Sequence, residues 1–248
     1  SLVVYSSLWL SERYLSLPFE TLYLIGGGCC VALVLLMWLA FPKFEGHTVQ
    51  RKHLLMRKRY WLYYALTFMG GARRQIFVVF AGFLMVEKFG YDVSDIAALY
   101  LVNHLFNWAF AERIGAWVGK VCERRALTFE YCGLICVFTA YAFVSDAKWA
   151  AALYILDHLF FSLAIAIKTY FQKIADPADM ASTAGVAFTI NHIAAVVIPV
   201  IFGLIWLVSP SAVFLIGAAM VVVSLILAQN IPVNPSEGNE VLVGKVPA

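Results

Sequence analysis

The run Tyr60–Val86, YWLYYALTFMGGARRQIFVVFAGFLMV, is apolar almost throughout and carries Arg73 and Arg74 side by side near its middle. At ~1.5 Å per helical residue it is long enough to cross a hydrocarbon core of roughly 30 Å, with the two guanidinium groups about half way across. An arginine at the centre of a spanning helix costs about 2.5 to 3.5 kcal/mol on insertion scales, so the pair requires protein, water or an opposite charge beside it. Two readings stand. The pair neutralises Asp157 as a buried structural ion pair, or one arginine is left over to hold an anion such as a carboxylate or phosphate, which its planar fork suits. One carboxylate does not neutralise two guanidinium groups and also hold Lys168. Lys168 itself lies near the end of its helix, where a long side chain snorkels to the interface.

Working outward, the rest of the chain is of the same kind. With 62% hydrophobic and 13% charged residues in 248, and a mean hydropathy of +0.82, it is outside the composition of soluble domains and inside that of polytopic membrane proteins. The net charge of +3 gives no reason to invoke nucleic acid. Cys29, Cys30, Cys122, Cys132 and Cys136 form no Cys-x-x-Cys arrangement and read as free thiols. No sequence pattern calls for a cofactor, and nothing resembles a signal peptide. The chain opens on Ser1 rather than Met, and a missing natural beginning is expected.

Apolar segments long enough to span run over Phe19–Phe41, Tyr60–Val86, Ser94–Val118, Leu127–Val144, Trp149–Phe171 and Ser182–Val208, with a further one at Ala212–Ala228. Residues 1–18 read as the end of a preceding spanning helix and its outer loop. The expected fold is therefore an all-α polytopic transmembrane bundle, with hairpin-length links between antiparallel helices. The link 42–59 differs, carrying Lys43, Arg51, Lys52, Arg57, Lys58 and Arg59, which places it in the cytoplasm. Alternating sides from there puts Lys120, Arg124, Arg125, Lys173 and the tail 231–248 on the same side. The expected location is the plasma membrane, or the inner membrane of a bacterium.

Polar residues at mid-depth are unevenly shared. The first segment after the basic link has Thr67, Arg73 and Arg74; the next has Asn103, His104 and Asn107; the fourth has Asp157 and His158; the fifth has Thr189, Asn191 and His192. Segments 127–144 and 212–228 have little beyond Thr139, Tyr141 and Ser224, so those two are expected to face lipid while the other four face something wet or each other. Each histidine alone reads as a hydrogen-bonded interior residue. Together with Asp157, His158 and His192 read as proton carriers, because their charge changes with small changes of burial. Gly70-Gly71, three residues before the arginines, reads as a point of flexure.

The order of one spanning helix, a long basic loop and six further helices resembles the second half of a major facilitator superfamily transporter. The stretch Gly119-Lys120-Val121-Cys122-Glu123-Arg124-Arg125 is similar to that family's loop motif, Gly-x-x-x-Asp-Arg-x-Gly-Arg-Arg, at the corresponding link. The match is partial, with Glu123 in place of Asp. The resemblance implies that 19–41 is the sixth helix of twelve, 42–59 the central linker and 60–230 the six-helix half. It implies that the four polar segments line the substrate cavity, and that Gly119, Glu123 and Arg124 belong to an inner gate. It also implies a partner, either an N-terminal half outside this chain or a second copy.

The functional expectation is a secondary transporter for a small anionic or zwitterionic solute, not an enzyme. Arg73 and Arg74 supply charge complementarity, Thr67, Asn103, Asn107, Thr189 and Asn191 supply hydrogen bonds, and Asp157, His158 and His192 couple a proton. The alternatives are a non-transporting sensor or assembly protein on the same scaffold, or a membrane-embedded enzyme acting on a lipid-linked phosphate.

Overall fold

Helices form where the apolar runs lie and stop where capping residues interrupt them. The computed structural model describes residues 18–42, 49 and 53–245. The expected helix tail in 1–17, most of the basic linker and the last residues of the tail lie outside the described residues. Helix α1 is Phe19–Ala40. A 3₁₀ turn, Lys58–Tyr60, leads into α2, Trp61–Ile76, which continues through a π-helical turn, Phe77–Ala81, into α3, Gly82–Phe89. Then follow α4, Val93–Val121, and α5, Glu123–Phe143. Helix α6, Ala147–Phe161, passes through a 3₁₀ turn, Ser162–Ala164, into α7, Ile165–Ile174. The 3₁₀ turn Pro177–Asp179, α8, Met180–Val208, and α9, Pro210–Gln229, complete the bundle. Among the described residues there is no strand, and six helical segments are long and apolar enough to cross a membrane. This is an all-α helical bundle and an integral membrane protein.

The caps have direct chemical causes. Asp92 and Asp95 form a reciprocal capping box at the start of α4, the Asp146 carboxylate accepts from the Lys148 and Trp149 amides at α6, and Ser209 caps α9 with Pro210 at its first position. Asp179 and Ser182, at the start of α8, bind the linker instead of capping the helix with their side chains. Asp179 holds Arg57, and Ser182 Oγ bridges the linker by donating to His53 O and accepting from Leu55 N.

Packing separates front from back. The most extensive interface is α5 against α9, followed by α2 against α8, with α2 also touching α9 and α5 touching α6. Gly217 of α9 lies against the ring of the fully buried Phe138, so the two backbones approach closely there. Phe77, at the π turn, meets Tyr141 edge-on at 5.1 Å and Tyr154 at 5.5 Å, which fills the centre with aromatic surface. Helix α4 departs from expectation. It forms over its full length, yet Asn103, His104 and Asn107 near its middle, with Asp95, Glu112, Arg113 and Lys120, keep it outside the set of segments apolar enough to span. Its stretch 107–113 is exposed all round. None of the described side chains of α1 is buried, so its apolar surface faces outward on every side.

One end of the bundle is a basic rim. Arg57 pairs with the buried Asp179, Arg59 reaches both Asp179 at 3.8 Å and Glu237 at 3.1 Å, and Lys173 pairs with the buried Glu123 at 2.6 Å. The tail folds back across this rim. Tyr170 Oη donates to Glu240 O, Trp61 Nε1 donates to Gly244 O, and Ile231 and Val241 of the tail are buried.

Candidate functional site

Adjacent residues on an α-helix point about 100° apart, so two neighbouring arginines leave the helix on different sides. On α2 the outcome is a clean division. Arg73 turns inward and is 1% exposed, whereas Arg74 is exposed on the bundle surface. The partner of Arg73 is Glu130 of α5, whose Oε1 lies 2.7 Å from Nη2. Tyr131 and Phe161 rings cover the same guanidinium at 5.0 and 5.7 Å.

Two expectations are corrected here. Asp157 is not the residue that pairs with an arginine, and segment 127–144 is not devoid of charge at depth. Depth along the chain does not pair the two: Glu130 lies only seven positions into α5, roughly 10 Å from the basic rim, while Arg73 lies roughly 18 Å from it. A helical side chain leans toward its own N-terminus, so the long Arg73 side chain runs back down to meet Glu130. As a group held in a buried ion pair, Arg73 is removed from the set of surface groups open to a solute.

Arg74 remains. It makes no ion pair among the described residues, and its guanidinium sits over the Phe161 ring at 5.6 Å. Arg74 and His104 both act electrostatically on His158, so α2, α4 and α6 bring three basic groups to one layer. His158 Nδ1 lies 3.0 Å from Tyr154 O and 3.9 Å from Asp157 Oδ2. A carbonyl oxygen only accepts, so Nδ1 donates to Tyr154 O and Nε2 is left as the unprotonated nitrogen of the neutral ring. Asp157 is buried beside it.

The remaining expected residues divide by helix face. On α8, Thr189, Asn191 and His192 are exposed, but each already uses its side chain locally: Thr189 Oγ1 donates to Gly185 O, Asn191 Nδ2 to Ala187 O, and His192 Nδ1 lies 2.8 Å from Phe188 O. Asn191 Oδ1 rests directly on the Cα of Gly71, which explains that glycine by close approach rather than flexure. The helical irregularity falls instead at Phe77–Ala81, just after the arginines, and at Ser162–Ala164, just after Phe161. Thr67 and Asn103 are both buried, which takes them away from the exposed face; Thr67 hydrogen-bonds Tyr63, and the Asn103 amide has no hydrogen-bond partner among the described residues. Asn107 is exposed on α4.

The expected gate residues sit at the basic rim. Helices α4 and α5 are joined by a single residue, Cys122, at φ 77°, instead of the longer link expected over 119–126. Glu123 is tied to Lys173 of α7, Arg124 Nε donates to Gln229 Oε1 of α9, and Gly119 is exposed with open space at its Cα.

Arg74, His104 and His158 thus form one layer across α2, α4 and α6, with Asn191 of α8 against Gly71 beside it, while Asn107 and His192 are exposed on their own helices. No protein-family model matches the chain, and no curated protein matches its sequence. A cavity of about 300 Å³ lies away from this layer, at the end opposite the basic rim.

Proposed function

We propose that the chain is one half of a secondary membrane transporter of the major facilitator type, moving a small anionic or zwitterionic solute by alternating access around the Arg74 layer. The observation that carries this reading is Arg74 itself. An exposed guanidinium at mid-span, with no acid paired to it among the described residues, is too costly to hold against lipid and is suited to a solute carboxylate or phosphate. His104 and His158 add donors on the same layer, and the Asp157–His158 neighbourhood, with His192 on α8, supplies proton-exchanging groups for coupling.

The buried Arg73–Glu130 pair has a positioning part in this scheme. It pins α2 to α5 immediately behind Arg74, so the exposed arginine is presented from a fixed backbone. Six helices and one further span supply one wall of a pathway, and the opposite wall comes from an N-terminal half or a second copy. The basic rim is assigned to the cytoplasm by its Lys and Arg content.

The test is thermal-shift screening of the full-length protein in detergent with carboxylates, phosphate, sulfate, organic cations and neutral solutes, followed by uptake into proteoliposomes. One anion class is expected to stabilise the wild type, and Arg74→Gln is expected to lose both that shift and uptake while melting normally. Uptake by a well-folded Arg74→Gln at the wild-type rate would overturn the reading.

A further inference from the structure

At the end opposite the basic rim, four helix ends converge around the cavity: the ends of α3 and α5, the last turns of α8 and the start of α9. Its walls are aromatic. Trp206 lies 6.2 Å from Phe214 at 73°, and Tyr141 lies 5.2 Å from Phe214. Two opposite charges, Glu87 and Lys88, stand at its mouth, both exposed.

Neither charge is used up by the fold. Glu87 Oε2 accepts from Trp206 Nε1 at 3.1 Å, leaving Oε1 without a hydrogen bond among the described residues. Lys88 Nζ donates to Val144 O at 2.7 Å, where it caps the end of α5, and an ammonium carries two further protons. A carboxylate against an aromatic wall suits an ammonium group, through a charge-assisted hydrogen bond and the negative ring face. The adjacent lysine suits a phosphate. Indole rings such as that of Trp206 favour the boundary between hydrocarbon and water.

We propose that this cavity is a binding site for the zwitterionic headgroup of a phospholipid with a primary ammonium, the ammonium on Glu87 beside Trp206 and the phosphate on Lys88. The lipid source follows from position: the cavity opens where spanning helices end, and its inner surface is set by apolar and aromatic side chains, Leu84, Tyr141, Trp206 and Phe214 among them. This site is independent of the Arg74 layer, and its failure would leave the transport reading untouched.

The experiment uses the full-length protein, delipidated in detergent, with phosphatidylethanolamine, phosphatidylcholine, phosphatidylglycerol and soluble phosphoethanolamine as separate probes. Retention is counted by native mass spectrometry and stability by thermal shift. Phosphatidylethanolamine is expected to be retained and to raise the melting temperature, ahead of the choline lipid, which has no N–H to offer, and of the glycerol lipid, which has no ammonium. Glu87→Gln keeps an acceptor for Trp206 and is expected to weaken ethanolamine-lipid binding roughly tenfold or more without altering the lipid-free melt. Lys88→Gln is expected to weaken binding of all three lipids. Equal retention of the ethanolamine lipid by wild type and Glu87→Gln, or retention of the glycerol lipid as tight as that of the ethanolamine lipid, would overturn the proposal. Binding of soluble phosphoethanolamine as tight as that of the lipid would overturn the lipid assignment.

Discussion

Removing one member of the Arg73–Glu130 pair should cost far more than removing both. The two side chains are 2% and 0% exposed, 2.7 Å apart and on different helices, so a single substitution strands a full charge between α2 and α5. Breaking a buried pair from one side costs about 3–5 kcal/mol, whereas replacing both partners with apolar residues of similar volume is often neutral or stabilising. Glu130→Gln keeps an amide oxygen to accept from the guanidinium and leaves the Tyr131 and Phe161 ring contacts in place, whereas Arg73→Met also gives up those contacts, worth about 0.5–2 kcal/mol. Glu130→Gln is therefore expected at about 2–4 kcal/mol, Arg73→Met at about 3–5 kcal/mol and Arg73→Met/Glu130→Met within about 2 kcal/mol of wild type. The assay is a double-mutant cycle read by reversible unfolding in mixed micelles. Single mutants within about 0.5 kcal/mol of wild type, or effects that simply add in the double mutant, would refute the argument that the pair is desolvated and mutually dependent.

Three further outcomes follow from the geometry. Gly217→Ala sets a methyl group 2.5 Å from the Phe138 ring, which is fully buried and has no room to withdraw, so thermal melting in detergent should show a loss of about 1–3 kcal/mol. Cys122 joins α4 to α5 at φ 77°, ψ 146°, a conformation that favours glycine; Cys122→Gly should stabilise the protein by about 1 kcal/mol, measured as a rise in melting temperature. Hydrogen bonds from Ser94 Oγ and the Asp95 amide hold the Asp92 carboxyl below its ordinary value of 3.8, so its contribution to the α4 cap is full above that value and is lost as pH falls through the lowered one. Asp92→Asn, which still caps but does not titrate, should flatten that acid limb in a melt recorded against pH.

Much of the architecture was legible in the sequence because spanning helices announce themselves by length and composition. The segments expected at 60–86, 149–171, 182–208 and 212–228 lie within helices long and apolar enough to cross, and 127–144 overruns its helix by one residue. The segment 94–118 was harder to read, since its helix forms but its charges lower its hydropathy. The division of the two arginines between an interior and a surface was not legible at all. Sequence spacing shows that Arg73 and Arg74 point apart, but not which direction is inward.

The partner of Arg73 was hidden for a related reason. Position along a chain measures depth of the backbone, and Arg73 and Glu130 differ in depth by several ångströms that only the direction and length of the arginine side chain make up. The tail was equally opaque, because the burial of Ile231 and Val241 depends on which helix ends lie below them.

By itself the sequence determined that this is a helical membrane protein and where most of its spanning segments lie, because the cost of exposing polar backbone and charge to hydrocarbon acts on each segment separately. Only the tertiary structure decided that Glu130 neutralises Arg73, that Arg74 is the exposed guanidinium, and that Glu87 and Lys88 flank an aromatic cavity. Those outcomes depend on which helices become neighbours and how each is turned about its axis, quantities that packing sets and local sequence does not contain.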